Sequence, residues 1–136
     1  IQKANATHIR AGEITCKIIS APARLYEFTL TLYLDKKSSV DQPTALFNFG
    51  DGSACQEQPS EPAIEYSNEI RIRSYKITHA YASNGTYIIS FNGENRNANT
   101  KNINDGNSVN LSFYASAFCC ASGLNSGLRG FANRVC

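Results

Sequence analysis

The chain has few side chains of the kinds that perform catalysis. It has two histidines, His8 and His79, and a Ser-His-Asp or Cys-His hydrolase needs one of them beside a nucleophile. Neither histidine has a recognisable nucleophile partner in the sequence. His79 stands at the end of a predicted strand, where its ring nitrogens would satisfy neighbouring backbone groups. We therefore predict no catalytic residues and no enzyme activity.

Acidic residues and cysteines could instead hold a metal ion. Asp51, Glu94 and Asp105 could together supply the several oxygen ligands that Ca²⁺ takes. However, the sequence has no D-x-D-x-D loop, and Asp51 is placed to close its own tight turn. The cysteines also lack the paired C-x₂₋₄-C spacing of a zinc site. The sequence thus predicts no metal and no cofactor.

The five cysteines predict disulfide chemistry, and five is more typical of an oxidising compartment than of the cytosol. Because five is odd, at least one thiol cannot pair within the chain. Cys16 falls on the inward face of a predicted strand, and a buried cysteine behaves as a small inert hydrophobe, so it is the candidate for the unpaired thiol. We expect a bond from Cys119 or Cys120 to Cys55 or Cys136, with an intermolecular bridge as the alternative.

Length and composition limit the remaining possibilities. A chain of 136 residues with 42% hydrophobic residues suits one packed domain. The net charge of +2 is too small and dispersed for nucleic-acid binding. No stretch approaches the roughly 20 apolar residues of a membrane span, so no membrane insertion is expected. The chain has no methionine, even at position 1, which suggests a processed product whose secretion signal has been removed.

Segments that alternate apolar and polar residues with a period of two predict strands almost throughout. In residues 70–78 the apolar positions change phase, which predicts a β-bulge. Turn-forming residues separate the strands, so we predict an all-β, antiparallel sandwich over residues 1–118. A Cys- and Gly-rich C-terminal tail would follow over residues 119–136. The predicted strands cover residues 12–20, 25–34, 45–49, 70–78, 86–92 and 108–114.

Two segments, FNFGDGS (residues 47–53) and THAYASNGTYIISF (residues 78–91), together resemble the polycystic-kidney-disease-type (PKD) domain. That resemblance implies a PKD-type immunoglobulin-like sandwich. Glycines in the GDG turn permit positive φ angles, and the aspartate between them can accept backbone N–H bonds. The two tyrosines of the second segment would bracket a hairpin turned at Asn84-Gly85. The matching residues are Phe47 (in the place usually held by Trp), Phe49, Gly50, Asp51, Gly52, His79, Tyr81, Gly85 and Tyr87.

Three further segments are ATHIRAGEIT (residues 6–15), YEFTLTLYLD (residues 26–35) and ENRNANTKNI (residues 94–103). With them, roughly residues 5 to 114 resemble PKD-like modules near the N-termini of secreted Bacteroidetes surface proteins. This resemblance implies a secreted or cell-surface location and a non-catalytic structural or adhesive surface module. Its partners would be other extracellular proteins or surface glycans, with self-association as a further option. One alternative is a carbohydrate-binding module, which would show a row of exposed Tyr on one sheet face. Another is a self-assembling extracellular fibre subunit, in which a strand edge completes a neighbour's sheet.

Arg71, Arg73 and Lys76 lie on or beside one predicted strand. They would either contact a polyanion or form the solvated face of an edge strand. Three charges produce a weak field, so the sequence favours the solvated face.

Overall fold

The computed structural model describes residues 8–39, 41–93 and 113–121. These residues form two four-stranded antiparallel sheets, which confirms the predicted immunoglobulin-like β-sandwich. The first sheet has the order β1-β2-β6-β5, and the second has the order β4-β3-β7-β8. None of the described residues belongs to a helix with the length and apolar character needed to cross a membrane. The strands are β1 (Ile9–Ser20), β2 (Leu25–Asp35), β3 (Ala45–Asn48), β4 (Ala54–Glu57), β5 (Ile64–Glu65), β6 (Ile70–Ala80), β7 (Gly85–Gly93) and β8 (Phe113–Ala121).

The core lies between the two sheets and is dominated by the alternation of β2. Every second residue of this strand points inward and is almost fully buried, as the period of two requires. The second sheet supplies aromatic and aliphatic side chains from β3 and β7 against them. The inward residues of β2 are Tyr26, Phe28, Leu30, Leu32 and Leu34, and those facing them include Phe47, Phe49, Ile89 and Phe91.

Strand β6 runs beside β2 without interruption, so the predicted β-bulge is wrong. The register is continuous from Leu25↔Ala80 to Asp35↔Ile70. The same alternation that buries Tyr75 places Arg71 and Arg73 on the inward face, where polar partners receive them. Arg71 forms an ion pair with Glu65, and Arg73 forms one with Asp41. The sheet's register shifts lie instead in β1, where it pairs with β2.

The placement of β6 also corrects the predicted edge strand. This strand lies between β2 and β5, although β5 covers only its Arg71 and Ile72 positions. Because Arg71 and Arg73 each pair with a carboxylate of the same chain, neither presents an unbalanced charge to a polyanion.

The last described strand extends beyond the predicted domain boundary. Strand β8 pairs with β7 from Gly93↔Phe113 to Gly85↔Ala121, so the sandwich includes three residues assigned to the tail. The inward positions of β8 carry small residues, Ala115, Ala117, Cys119 and Ala121, which give a weak hydrophobic signal in the sequence. Residues 108–112 of the predicted last strand, and residues 122–136 of the tail, lie outside the described residues.

The connection between β6 and β7 passes from the first sheet to the second, so the hairpin predicted at Asn84-Gly85 is wrong. Arg24, which has a positive φ of 49°, binds this crossover from the β1–β2 turn. Its Nε donates to the Tyr81 carbonyl at 2.8 Å, and its guanidinium also donates to the Ala82 carbonyl at 2.9 Å. In return the Tyr81 N–H donates to the Arg24 carbonyl at 3.1 Å. The crossover is therefore held by one residue of a distant turn.

We expect Arg24→Ala to lower the free energy of unfolding by about 1–2 kcal/mol, because two carbonyls of the crossover lose a charged donor. Chemical denaturation measures this change. Lys17→Ala, at an exposed position of β1, is the control and should change the free energy of unfolding by less than about 0.5 kcal/mol. Equal effects of the two substitutions would contradict the role assigned to Arg24.

Candidate functional site

The residues that carry the PKD resemblance meet at one end of the sandwich. The turn after β3 contributes Phe49 and Asp51, the end of β6 contributes His79, and the crossover contributes Tyr81. Tyr87 follows from the start of β7. We call these five residues the turn cluster. They come from both sheets, so the cluster exists only when the sandwich is closed.

The rings of the turn cluster are stacked in sequence. The His79 ring lies parallel to the Phe49 ring, with centroids 4.0 Å apart. Tyr81 meets His79 edge-on at 4.7 Å and stacks on Tyr87 at 4.0 Å. The buried Tyr81 hydroxyl donates to the Phe49 carbonyl at 3.0 Å, and burial raises the pKa of this tyrosine. Ring packing and this hydrogen bond therefore join the turn to the crossover.

The turn itself is closed by Asp51. Its Oδ1 accepts hydrogen bonds from the Ser53 N–H at 3.0 Å and from the Ser53 hydroxyl at 2.5 Å. Its Oδ2 lies 2.7 Å from His79 Nε2 in the other sheet. The carboxylate thus closes the local turn and reaches across to the first sheet at the same time.

Gly50 and Gly52 occupy conformations that other residues rarely adopt, with φ angles of 81° and 90°. Their surroundings differ. A Cβ on Gly50 would lie 2.5 Å from the Ile88 carbonyl oxygen and 2.8 Å from the Ile88 nitrogen, both backbone atoms of β7. A Cβ on Gly52 would meet nothing within 4 Å. Gly50 is therefore required by close approach as well as by its backbone angle.

Asp51 is held in its ionised form. Burial raises the pKa of this carboxyl, but hydrogen bonds from Ser53 and His79 outweigh burial and lower the pKa from 3.8 to about 2. In a hydrolytic triad the histidine lies between the acid and the hydroxyl and takes the hydroxyl proton. Here the acid lies between Ser53 and His79, so the serine hydroxyl donates to a carboxylate rather than to a base. This arrangement locks a turn.

The turn cluster also does not resemble a metal site. Both oxygens of Asp51 already accept hydrogen bonds. Among residues 8–39, 41–93 and 113–121, no group of three or more His, Cys, Asp or Glu side chains could hold a metal ion. Glu94 and Asp105, the other ligands considered for calcium, lie outside the described residues.

The cysteines lie in places that the predicted pairing did not anticipate. Cys55 is exposed on β4, whereas Cys119 and Cys120 lie on β8 at the opposite edge of the same sheet. Two strands separate these edges, or roughly 14 Å, which no disulfide spans. The expected bond from Cys55 to Cys119 or Cys120 is therefore wrong. The described residues contain no disulfide bond, and Cys136 lies outside them.

The opposite end of the sandwich contains polar contacts that sequence reasoning missed. Arg10 pairs with Asp35 at 2.9 Å, next to Glu69, and Lys36 pairs with Glu65 at 2.7 Å. His8, which had no evident partner in the sequence, is buried, and its Nε2 lies 2.9 Å from Gln42 Oε1. The contacts made by Arg10 and His8 join residues 25 to 59 positions apart, so no local motif could have revealed them.

The turn cluster lies within a segment that matches a known protein family. The model of the PKD domain family matches residues 19–113, more than two thirds of the chain and the whole of the turn cluster. The chain belongs to the PKD domain family. Searches of curated proteins and of solved structures gave no match. PKD domains are non-catalytic modules that are generally extracellular, and the finer likeness to Bacteroidetes surface modules stays a prediction.

The two glycines of this PKD domain allow a matched comparison. We expect Gly52→Ala to lower the free energy of unfolding by about 1–2 kcal/mol, since only the positive φ is unfavourable there. Gly50→Ala should cost clearly more, because the new Cβ would push the β7 backbone away. Chemical denaturation of both variants measures the difference, and equal losses would show that the approach to Ile88 is unimportant.

The lowered pKa of Asp51 predicts how stability depends on pH. A carboxylate whose pKa is lower in the folded chain stabilises the fold above its unfolded value of 3.8, and this contribution is lost as the pH falls toward about 2. Asp51→Ala should therefore cost about 1–3 kcal/mol near neutral pH and much less near pH 2. Denaturation midpoints across this range test it. Glu61→Gln, at an exposed position, is the control, and a pH-independent Asp51→Ala effect would contradict the prediction.

Proposed function

We propose that this PKD domain is a structural or adhesive module of an extracellular surface, and that it contacts other proteins through the outer face of its second sheet. The observation that carries the proposal is the chemistry of that face. The ten described side chains that point outward from this sheet carry no charge, and we call this surface the neutral face. They are Leu46, Asn48, Ala54, Gln56, Thr86, Ile88, Ser90, Asn92, Ser116 and Cys120.

The neutral face differs from the outer face of the first sheet. That face carries charged side chains of both signs on adjacent strands, as is usual for a solvated surface. They are Glu13, Lys17, Glu27 and Lys76. The centres of protein interfaces are depleted of charged residues. Leu46 and Ile88 of the neutral face are 48% and 47% exposed, so apolar area is available for burial there.

The internal contacts of the turn cluster also favour a binding module over an enzyme. Asp51, His79 and Tyr81 each bond to another residue of the fold. Their polar groups are thus engaged in closing the sandwich, and a non-catalytic role agrees with the family to which the chain belongs.

Binding of carbohydrate is less well supported. Tyr26, Tyr75 and Tyr81 are buried, and Tyr87 stacks on Tyr81. Of the tyrosines whose side chains the structure describes, Tyr33 and Tyr66 remain at the surface, which is too few for the row that flat sugar-binding faces use. Self-association through a strand edge has more support, because β5 covers only two positions of the eleven-residue β6.

The experiment compares binding by variants on the two outer faces. We expect the purified chain to bind at least one member of a panel of extracellular proteins. Ile88→Glu should weaken this binding at least tenfold, because it places a charge in the middle of the neutral face. Thr15→Glu, on the outer face of the first sheet, is the control and should leave the affinity within about twofold.

Other results of these binding measurements would favour a different function or a different binding surface. Binding to immobilised glycans but to no protein would favour the carbohydrate-binding alternative. Concentration-dependent polymers in sedimentation would favour the fibre subunit. Equal losses in Ile88→Glu and Thr15→Glu would overturn the assignment to the neutral face.

A further inference from the structure

We propose that Cys16 and Cys119 form a disulfide bond that joins the two sheets of the sandwich when the chain folds in an oxidising compartment. The extracellular location in the proposed function only supplies the oxidant. The bond itself is argued from the geometry of the two cysteines.

The two sulfurs already face each other across the core. Cys16 Sγ lies 3.7 Å from Cys119 Sγ, although the residues are 103 positions apart in the chain. Cys16 belongs to β1, the edge strand of the first sheet, and Cys119 belongs to β8, the edge strand of the second. These two edge strands lie against each other. A disulfide S–S bond is about 2.05 Å long, so the sulfurs need to approach by about 1.7 Å.

The other described cysteines do not compete for this pairing. Cys120 points away from the core, where the Thr86 hydroxyl lies 3.9 Å from its sulfur. Cys55 is exposed on β4, two strands away from β8. Cys16 is 3% exposed and Cys119 is fully buried, so a bond between them would be shielded from reductants in the surrounding solution.

Both partners also lie outside the segment that matches the PKD family. The match covers residues 19–113, whereas Cys16 precedes it and Cys119 follows it. The pair is therefore a feature of the two strands that flank the matched segment. In the folded chain the hydrogen bond between the two thiols lowers the pKa of Cys16, against the effect of burial, which raises it.

The reaction requires an oxidant, for which a low-molecular-weight disulfide such as oxidised glutathione suffices. The Cys16 thiolate attacks one sulfur of the oxidant, whose S–S bond breaks, and the leaving thiolate takes the electron pair and a proton. The Cys119 thiolate then attacks the Cys16 sulfur of this mixed disulfide and releases the second small thiol. In total the protein loses two electrons and two protons, and the oxidant gains both.

The timing of the reaction follows from burial. A mixed disulfide at Cys16 needs space that the closed core does not provide, so the exchange takes place before β8 has docked. The completed bond closes a loop of about 100 residues, and cross-links of such length restrict the unfolded chain most. It also closes the side of the sandwich where β1 meets β8.

The test uses the full chain refolded with a defined mixture of reduced and oxidised glutathione. Mapping is performed on a Cys120→Ala variant, because no basic residue separates Cys119 from Cys120 for tryptic cleavage. We expect a linked peptide pair containing Cys16 and Cys119, about 2 Da lighter than the two reduced peptides together. The melting temperature of the oxidised chain should exceed that of the reduced chain by at least about 10 °C.

Matched variants separate this bond from other thiol chemistry. Cys16→Ala should abolish the difference in melting temperature between oxidised and reduced protein, whereas Cys55→Ala should preserve it. If oxidised wild-type chain alkylates at both Cys16 and Cys119 after denaturation without reductant, or links either to another cysteine, the proposal is overturned. Because the oxidant is supplied in vitro, this result is independent of whether the neutral face binds a partner.

Discussion

The contact between the β3–β4 turn and the β6–β7 crossover is the constraint on which the sandwich depends most. One carboxylate, that of Asp51, closes the turn of the second sheet and bonds to His79 of the first. The Tyr81 hydroxyl bonds back to the Phe49 carbonyl. Because the Asp51–His79 bond links the turn of the second sheet to β6 of the first, and the Tyr81–Phe49 bond links that turn to the crossover, a shift of one sheet against the other would break both bonds. The stacked rings of His79 and Phe49 fill the space between these hydrogen bonds.

The two ends of the sandwich are held by different kinds of interaction. At the turn cluster, aromatic packing and hydrogen bonds to the backbone dominate. At the opposite end, ion pairs such as Arg10–Asp35 and Lys36–Glu65 lie at or near the surface. Exposed ion pairs individually contribute little to stability. We therefore expect these pairs to set where charges lie on the surface and to add little to the free energy of unfolding. These four residues belong to the first sheet or its loops, so none of them lies on the neutral face.

On one side of the sandwich the edge strands β1 and β8 lie against each other. Here the inward side chains of β8 are small, and Cys16 and Cys119 bring two sulfurs into contact. A covalent bond at this point would compensate for the small apolar area that alanines bury. The turn cluster and the cysteine pair would then fasten the sandwich through different chemistry.

Much of the fold could be predicted from local sequence. The strict alternation of residues 25–34 identified β2 and its five core residues. The segments FNFGDGS and THAYASNGTYIISF identified the PKD resemblance, and both glycines of the GDG turn have the positive φ angles expected of them. The prediction failed for β8, whose small residues give little hydrophobic signal. For β6 the strand was predicted correctly but the β-bulge was wrong, because Arg71 and Arg73 occupy inward positions where carboxylates of other segments receive them.

The sequence by itself determined the local conformations, since alternation and glycine positions depend on steric limits within a few residues. It also contained every residue of the turn cluster. Only the tertiary structure decided which groups meet. The order in which the strands pair sends the chain after β6 to the other sheet, brings Arg24 to that crossover and places Cys16 opposite Cys119. The physical reason is that these contacts join residues 57 and 103 positions apart, and closure of the whole sandwich brings them together.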